Sequence, residues 1–111
     1  MSGAGNLLED LRVPAEGERF ETLFARPGAR IERIVSSATP EPVDYDQPHD
    51  EWVCLLQGEA VLWIDGERVR LRAGDYRLIP AHSPHRVEST STEPVCVWLA
   101  VHVGETERDG S

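Results

Sequence analysis

The sequence predicts an all-β fold, an antiparallel barrel or sandwich. Short runs of alternating apolar and polar residues recur along the chain. Turn signals separate them at intervals of roughly 8–12 residues. The body holds no amphipathic run of helical period, no repeat and no low-complexity tract.

The elements follow in order. Residues 1–18 form a small, polar N-terminal arm in which Leu7, Leu8 and Leu11 have helical spacing, with Asn6 as a cap and Pro14 as a stop. Phe20–Phe24 alternates and Arg26-Pro27-Gly28 turns it back. Ala29–Val35 is the next strand, and the loop at Ala38–Pro42 ends it. Glu51–Leu56 stops at Gly58. Ala60–Ile64 meets Asp65-Gly66, a strong hairpin signal. Glu67–Arg72 returns with Arg68, Arg70 and Arg72 on one face and Val69 and Leu71 on the other. Tyr76–Ile79 ends at Pro80, His85–Glu88 resumes after Pro84, and Val95–Val103 is the last and most apolar strand. That makes about eight strands between 19 and 103, followed by a flexible tail over 104–111.

Composition removes several functions. Eleven basic against 20 acidic residues leave a net charge of −9, which disfavours nucleic acid and anionic lipid as partners. All basic residues are Arg, so no lysine can form a Schiff base. The Arg68, Arg70 and Arg72 face lacks interleaved aromatics and reads as a solvated strand face. Cys54 and Cys96 sit in apolar runs without C-x-x-C spacing and read as buried, reduced thiols. Trp52, Trp63 and Trp98 read as core or interface. No leader and no membrane-length apolar run is present, and the expectation is a soluble cytoplasmic protein.

The chemistry gathers at histidines and one glutamate. A metal site in a small barrel takes its ligands from separate strands facing one cavity. His49 stands beside Glu51, His82 and His85 follow some thirty residues on, and His102 lies in the last strand. Alternation puts Glu51 on a face with Val53 and Leu55, and His85 with Val87. A carboxylate facing a barrel interior is costly unless paired or metal-bound. Trp98 shares parity with His102.

These residues carry a resemblance to the cupin family. The family's second motif runs Gly, five residues, Pro, one residue, Gly, two residues, His. Here Gly74, Pro80 and His85 fall into register, with His82 where the family has Gly. Glu51 to Gly58 resembles the second half of the first motif. The H-x-H that should open that motif falls on Tyr45 and Gln47, or on Asp44 and Asp46. The chain is also similar to a subgroup of small single-domain cupins with blocks like Tyr45-Asp46-Gln47, Glu51-Trp52, Ile79–Val87 and Trp98–His102.

The resemblance implies a double-stranded β-helix barrel, a homodimer and a small-molecule ligand or substrate. It implies a divalent metal (Fe, Mn, Zn or Ni) on Glu51 and His85, with Gln47 as a neutral oxygen ligand or His49 as its substitute. Tyr45, His82, Trp98 and His102 would ring the pocket. Two histidines and a carboxylate suit oxygen activation, and a Lewis-acidic ion also suits isomerisation, decarboxylation or hydrolysis. Three readings follow: a metal-dependent enzyme, a non-catalytic binding or sensor module, and a structural subunit whose pocket is filled by side chains.

Overall fold

The computed structural model describes residues 3–104. It contains eight strands: β1 (Glu18–Arg26), β2 (Ala29–Ser36), β3 (Asp50–Gln57), β4 (Glu59–Ile64), β5 (Glu67–Arg72), β6 (Tyr76–Ile79), β7 (His85–Thr90) and β8 (Val97–Val103). They form a five-stranded sheet, β1-β2-β8-β3-β6, and a three-stranded sheet, β5-β4-β7. Every pairing is antiparallel. The two sheets bury their facing sides against each other, as period-two patterning requires.

The inner faces follow the alternation. Val53 and Leu55 of β3, Leu62 and Ile64 of β4, Val69 and Leu71 of β5, and Trp98 and Ala100 of β8 form one core. The three arginines of β5 are exposed opposite Val69 and Leu71. The β4–β5 hairpin turns on Asp65 and Gly66, both at positive φ, as a two-residue turn of matching twist demands.

The arm is where local spacing misleads. Residues 7–10 form turns and bends, and no helix occurs among the described residues. The segment is too short to nucleate one, and Asp10 takes a φ of 55°. The Asn6 Oδ1 atom accepts from the Leu8 amide at 2.8 Å in a local turn. The arm is tied instead by Arg33 of β2, whose guanidinium donates to the Leu7 and Glu9 carbonyls at 3.2 and 2.7 Å and to Glu21 at 2.6 Å.

The last strand starts at Val97, two residues later than its apolar run suggests, because Thr92 and Val95 close a separate bridge. Cys96 is buried, whereas Cys54 is half-buried on the outer face of β3, and both are free thiols. Trp98 is core, but Trp52 and Trp63 are half-buried on outer faces beside Tyr76 and Arg68. The expected tail beyond Gly104 lies outside the described residues.

Candidate functional site

Between the sheets lies a cavity of about 260 Å³. Its walls are Phe20, Ile34, Leu62, Val87 and Trp98, and Glu51 and His85 reach it from opposite sheets. Glu51 enters because β3 places it level with Ile79 of β6 and His102 of β8, one pleat before Val53. His85 starts β7 level with Ile64 of β4. The loop before β3 closes over them through a two-way backbone bridge, Tyr45 N–H to the His85 carbonyl at 2.7 Å and the reverse at 2.9 Å. Period two then carries Tyr45 and Gln47 to the cavity.

Three side chains converge. The Gln47 amide Nε2 donates to Glu51 Oε1 at 2.9 Å and stands 3.4 Å from His85 Nε2. His85 Nε2 is 3.5 Å from Glu51 Oε1. On its far side, His85 Nδ1 lies 2.9 Å from the Ser83 carbonyl, an acceptor that fixes a proton there and leaves Nε2 facing the cavity. Burial alone would raise the Glu51 carboxyl, but hydrogen bonds from His85 and Gln47 and the nearby imidazoles outweigh it and hold it below the usual range. Burial likewise opposes the charged form of His85, and Glu51 and the Ser83 carbonyl outweigh it and raise the imidazole. Burial and the charges of Glu41, Glu18 and Glu51 push the Tyr45 phenol up, so it stays a neutral donor.

The donor set fits a divalent ion by spacing. Two ligand atoms bound to one ion at about 2.0–2.2 Å stand roughly 2.8–3.6 Å apart at right-angle to tetrahedral geometry. The three separations here fall in or beside that interval. With the hydrogen bond to Glu51 made, the amide nitrogen faces the site, and holding an ion would require the Gln47 amide to turn and present its oxygen instead. Among the described residues no three His, Cys, Asp or Glu side chains gather closely enough to hold a metal ion, and the third group beside Glu51 and His85 is the Gln47 amide.

The other histidines separate. His82 stands exposed with its ring 3.6 Å from Asp46 and does not line the cavity. It occupies the motif position of a glycine, and its φ of 63° is the reason glycine suits that place. Its contribution is its backbone N–H, which donates to the Gln47 carbonyl at 2.6 Å and holds that loop. His49 is buried but bends away at Pro48 and meets His102, Nε2 to Nδ1 at 2.9 Å. His102 lines the cavity and its Nε2 lies 2.8 Å from Glu32 Oε1. Arg30 grips the other oxygen of Glu32 at 2.6 Å.

Sequence reasoning did not single out Glu18, Arg30 or Glu32, which also line the cavity. The signal for Glu32 was its parity with Ile34, hidden because Ile31 and Val35 make the opposite face of β2 equally apolar. Glu18 was counted with the arm, yet it opens β1 and pairs with Ser36.

The fold and part of the sequence are similar to those of known proteins. A solved structure from Ralstonia eutropha JMP134, called a putative mannose-6-phosphate isomerase, is 42% identical at a TM-score of 0.81, covering 90% of this chain and 96% of that one. A 3-hydroxyanthranilate 3,4-dioxygenase of Burkholderia cenocepacia is 48% identical over 70 residues, 60% of this chain and 40% of the relative. A quercetin 2,3-dioxygenase of Bacillus subtilis is 36% identical over 72 residues, 60% of this chain and 21% of the relative. The chain thus spans less than half the length of either dioxygenase. The cupin domain profile matches residues 32–102, the stretch that carries Glu51, His85 and the two-sheet core. With that span, and with two antiparallel sheets closed over one cavity, the chain belongs to the cupin family.

Proposed function

We propose that this cupin holds one divalent metal ion on Glu51, His85 and Gln47 and acts on a small organic molecule in the adjoining cavity. The observation that carries the reading is the convergence of those three side chains at 2.9–3.5 Å, with His85 oriented from behind by Ser83. Iron, manganese, zinc and nickel all suit imidazole with oxygen donors. A bound ion would supply Lewis acidity to an oxygen of the occupant. The protein's own part is positional. Ser83 fixes the His85 ring, the His82 N–H and the Tyr45 bridge fix the Gln47 loop, and apolar walls exclude water from the occupant's body. The names of the two dioxygenase relatives make oxygen-dependent conversion the first reaction class to assay. Membership of the small single-domain subgroup belongs to the same reading.

The test is elemental analysis of untagged protein purified without chelator. About one equivalent of ion per chain is expected, falling at least about tenfold in occupancy in His85→Ala and Glu51→Ala. No uptake by the wild type after reloading with each of the four ions rejects the metal. One observation favours the second reading, a non-catalytic binding module: the third donor is an amide rather than a histidine. Metabolite binding without turnover by the metal-loaded protein would select it. A cavity of about 260 Å³ argues against the filled-barrel reading.

We further propose a homodimer. β1 is an edge strand of nine residues paired only with β2, and Phe20, Leu23 and Phe24 on it are nearly half-exposed. Such an edge is a template for another strand. A second copy of the same edge offers an antiparallel partner across a two-fold axis. The expected mass in solution is twice the chain's 12.4 kDa. A monomer at micromolar concentration refutes it.

A further inference from the structure

Three carboxylates face the cavity, and two of them already meet a histidine. Glu51 has His85 and Gln47. Glu32 has His102 and Arg30. Glu18 differs. Its Oε2 accepts from the Ser36 hydroxyl at 2.7 Å, and the same hydroxyl oxygen accepts from the Trp98 indole N–H at 2.9 Å. Ser36 and Trp98 are both almost fully buried. One oxygen is thus locked by a two-bond chain rooted in the core. The other, Oε1, meets no hydrogen-bond donor among the described residues, although Glu18 lines the cavity.

Register places this group at a distance from the metal candidates. Glu51, His102 and Arg30 lie level at one end of the five-stranded sheet, and Glu18 lies level with Ser36 at the other. Between them run Phe20, Ile34 and Trp98. We propose that Glu18 selects an occupant bearing a cationic amino group at the end of an apolar body, with its Oε1 accepting an ammonium N–H. The substrate class is then a small amine whose ring or chain lies along Phe20, Ile34, Leu62 and Trp98. This deepens the function proposed above, resting on the cavity as the ligand site and not on the metal.

Two further facts support it. Burial is the main influence raising the Glu18 carboxyl, and the charges of Glu51, Glu41 and Glu32 add to it against the Ser36 hydrogen bond. Burial disfavours charge of either sign, but the three neighbouring carboxylates favour a positive group at that position. The aromatic ring of Phe20, two residues along the same face, offers a surface to an ammonium group. The cavity's cations are engaged elsewhere: Arg30 grips Glu32, and Arg86 lies 3.1 Å from Asp44.

Benzylamine, benzyl alcohol and benzoate share one ring and differ in the charge of the end group. Calorimetric titration of each into the metal-free and the manganese-loaded protein reads the selection. Benzylamine is expected to bind about tenfold or more tighter than benzyl alcohol, and Glu18→Gln to remove most of that advantage. Glu18→Asp, which keeps the charge, should lose less. Melting curves and metal content of Glu18→Gln should match the wild type, because Glu18 holds no metal. Benzoate binding as well as benzylamine, an unchanged preference in Glu18→Gln, or no saturable benzylamine binding at millimolar concentration each overturns the proposal. The two failures are distinct. A wild type that takes up no ion but prefers benzylamine loses only the metal, and one that binds an ion without that preference loses only the amine.

Discussion

Alanine at Gly58 is expected to destabilise the protein by roughly 2–5 kcal/mol, whereas alanine at Gly74 costs about 1–2 kcal/mol. Both glycines have positive φ, +93° and +96°, so both substitutions pay the left-handed backbone strain. They differ in space. A Cβ at Gly74 meets nothing within 4 Å. A Cβ at Gly58 would sit 2.8 Å from Cys96 Sγ and Ser91 Oγ and 3.0 Å from Cys96 Cα. Those neighbours cannot yield cheaply. Ser91 Oγ donates to the Pro94 carbonyl at 2.7 Å and accepts from the Glu59 N–H at 2.9 Å, and Cys96 Sγ lies 3.1 Å from the Glu59 carbonyl. Gly58 is the one residue between β3 in the larger sheet and β4 in the smaller. The close approach is therefore part of how the chain crosses from one sheet to the other. Thermal melts of the two variants decide it. Gly58→Ala should melt on the order of 10 °C or more below Gly74→Ala, and equal melting temperatures would remove the packing half of the argument.

That pair of glycines shows what the sequence carried. Both are legible as motif positions, and alternation picked out the inner faces of β3 and β5, Val53 and Leu55 on one and Val69 and Leu71 on the other. β2 was not legible in this way. Its two faces are equally buried, Arg33 and Val35 outside the barrel as Glu32 and Ile34 are inside. So Glu32 went unnoticed. The histidines failed differently. Spacing counts residues and assumes a straight chain, but the bend at Pro48 sends His49 to His102, and the left-handed backbone at His82 turns its ring to solvent. Long-range neighbours such as Glu18 and Trp98, joined through Ser36, leave no trace in local pattern.

Removing the Glu32 carboxylate should destabilise the protein by about 3 kcal/mol, because it leaves the buried His102 N–H without its acceptor. The carboxylate accepts from His102 Nε2 and Arg30 Nη1. It also sets the direction of a longer chain. With its Nε2 proton donated to Glu32, a neutral His102 has only a lone pair at Nδ1, so His49 Nε2 must be the donor in their 2.9 Å contact. A neutral His49 then carries no proton at Nδ1, an atom that is buried without a partner. A buried lone pair without a donor costs less than a buried N–H without an acceptor. The arrangement is thus the cheapest that the carboxylate permits. Glu32→Ala leaves the buried His102 N–H without its acceptor, and both histidine tautomers lose their reason. Glu32→Gln keeps the shape and one acceptor, and should cost less, about 1–2 kcal/mol. Melting curves rank the two variants. Nitrogen-15 imidazole shifts read the chain itself: Nδ1 unprotonated on both His49 and His102 in the wild type, and a changed pattern in Glu32→Ala. Equal melting of the two variants, or an unchanged imidazole pattern in Glu32→Ala, would mean that Glu32 does not orient this pair. If it does, the floor of the cavity beside Glu51 is rigid for the same reason that it is costly to mutate, and a ligand meeting His102 there meets a ring whose proton is already committed to Glu32.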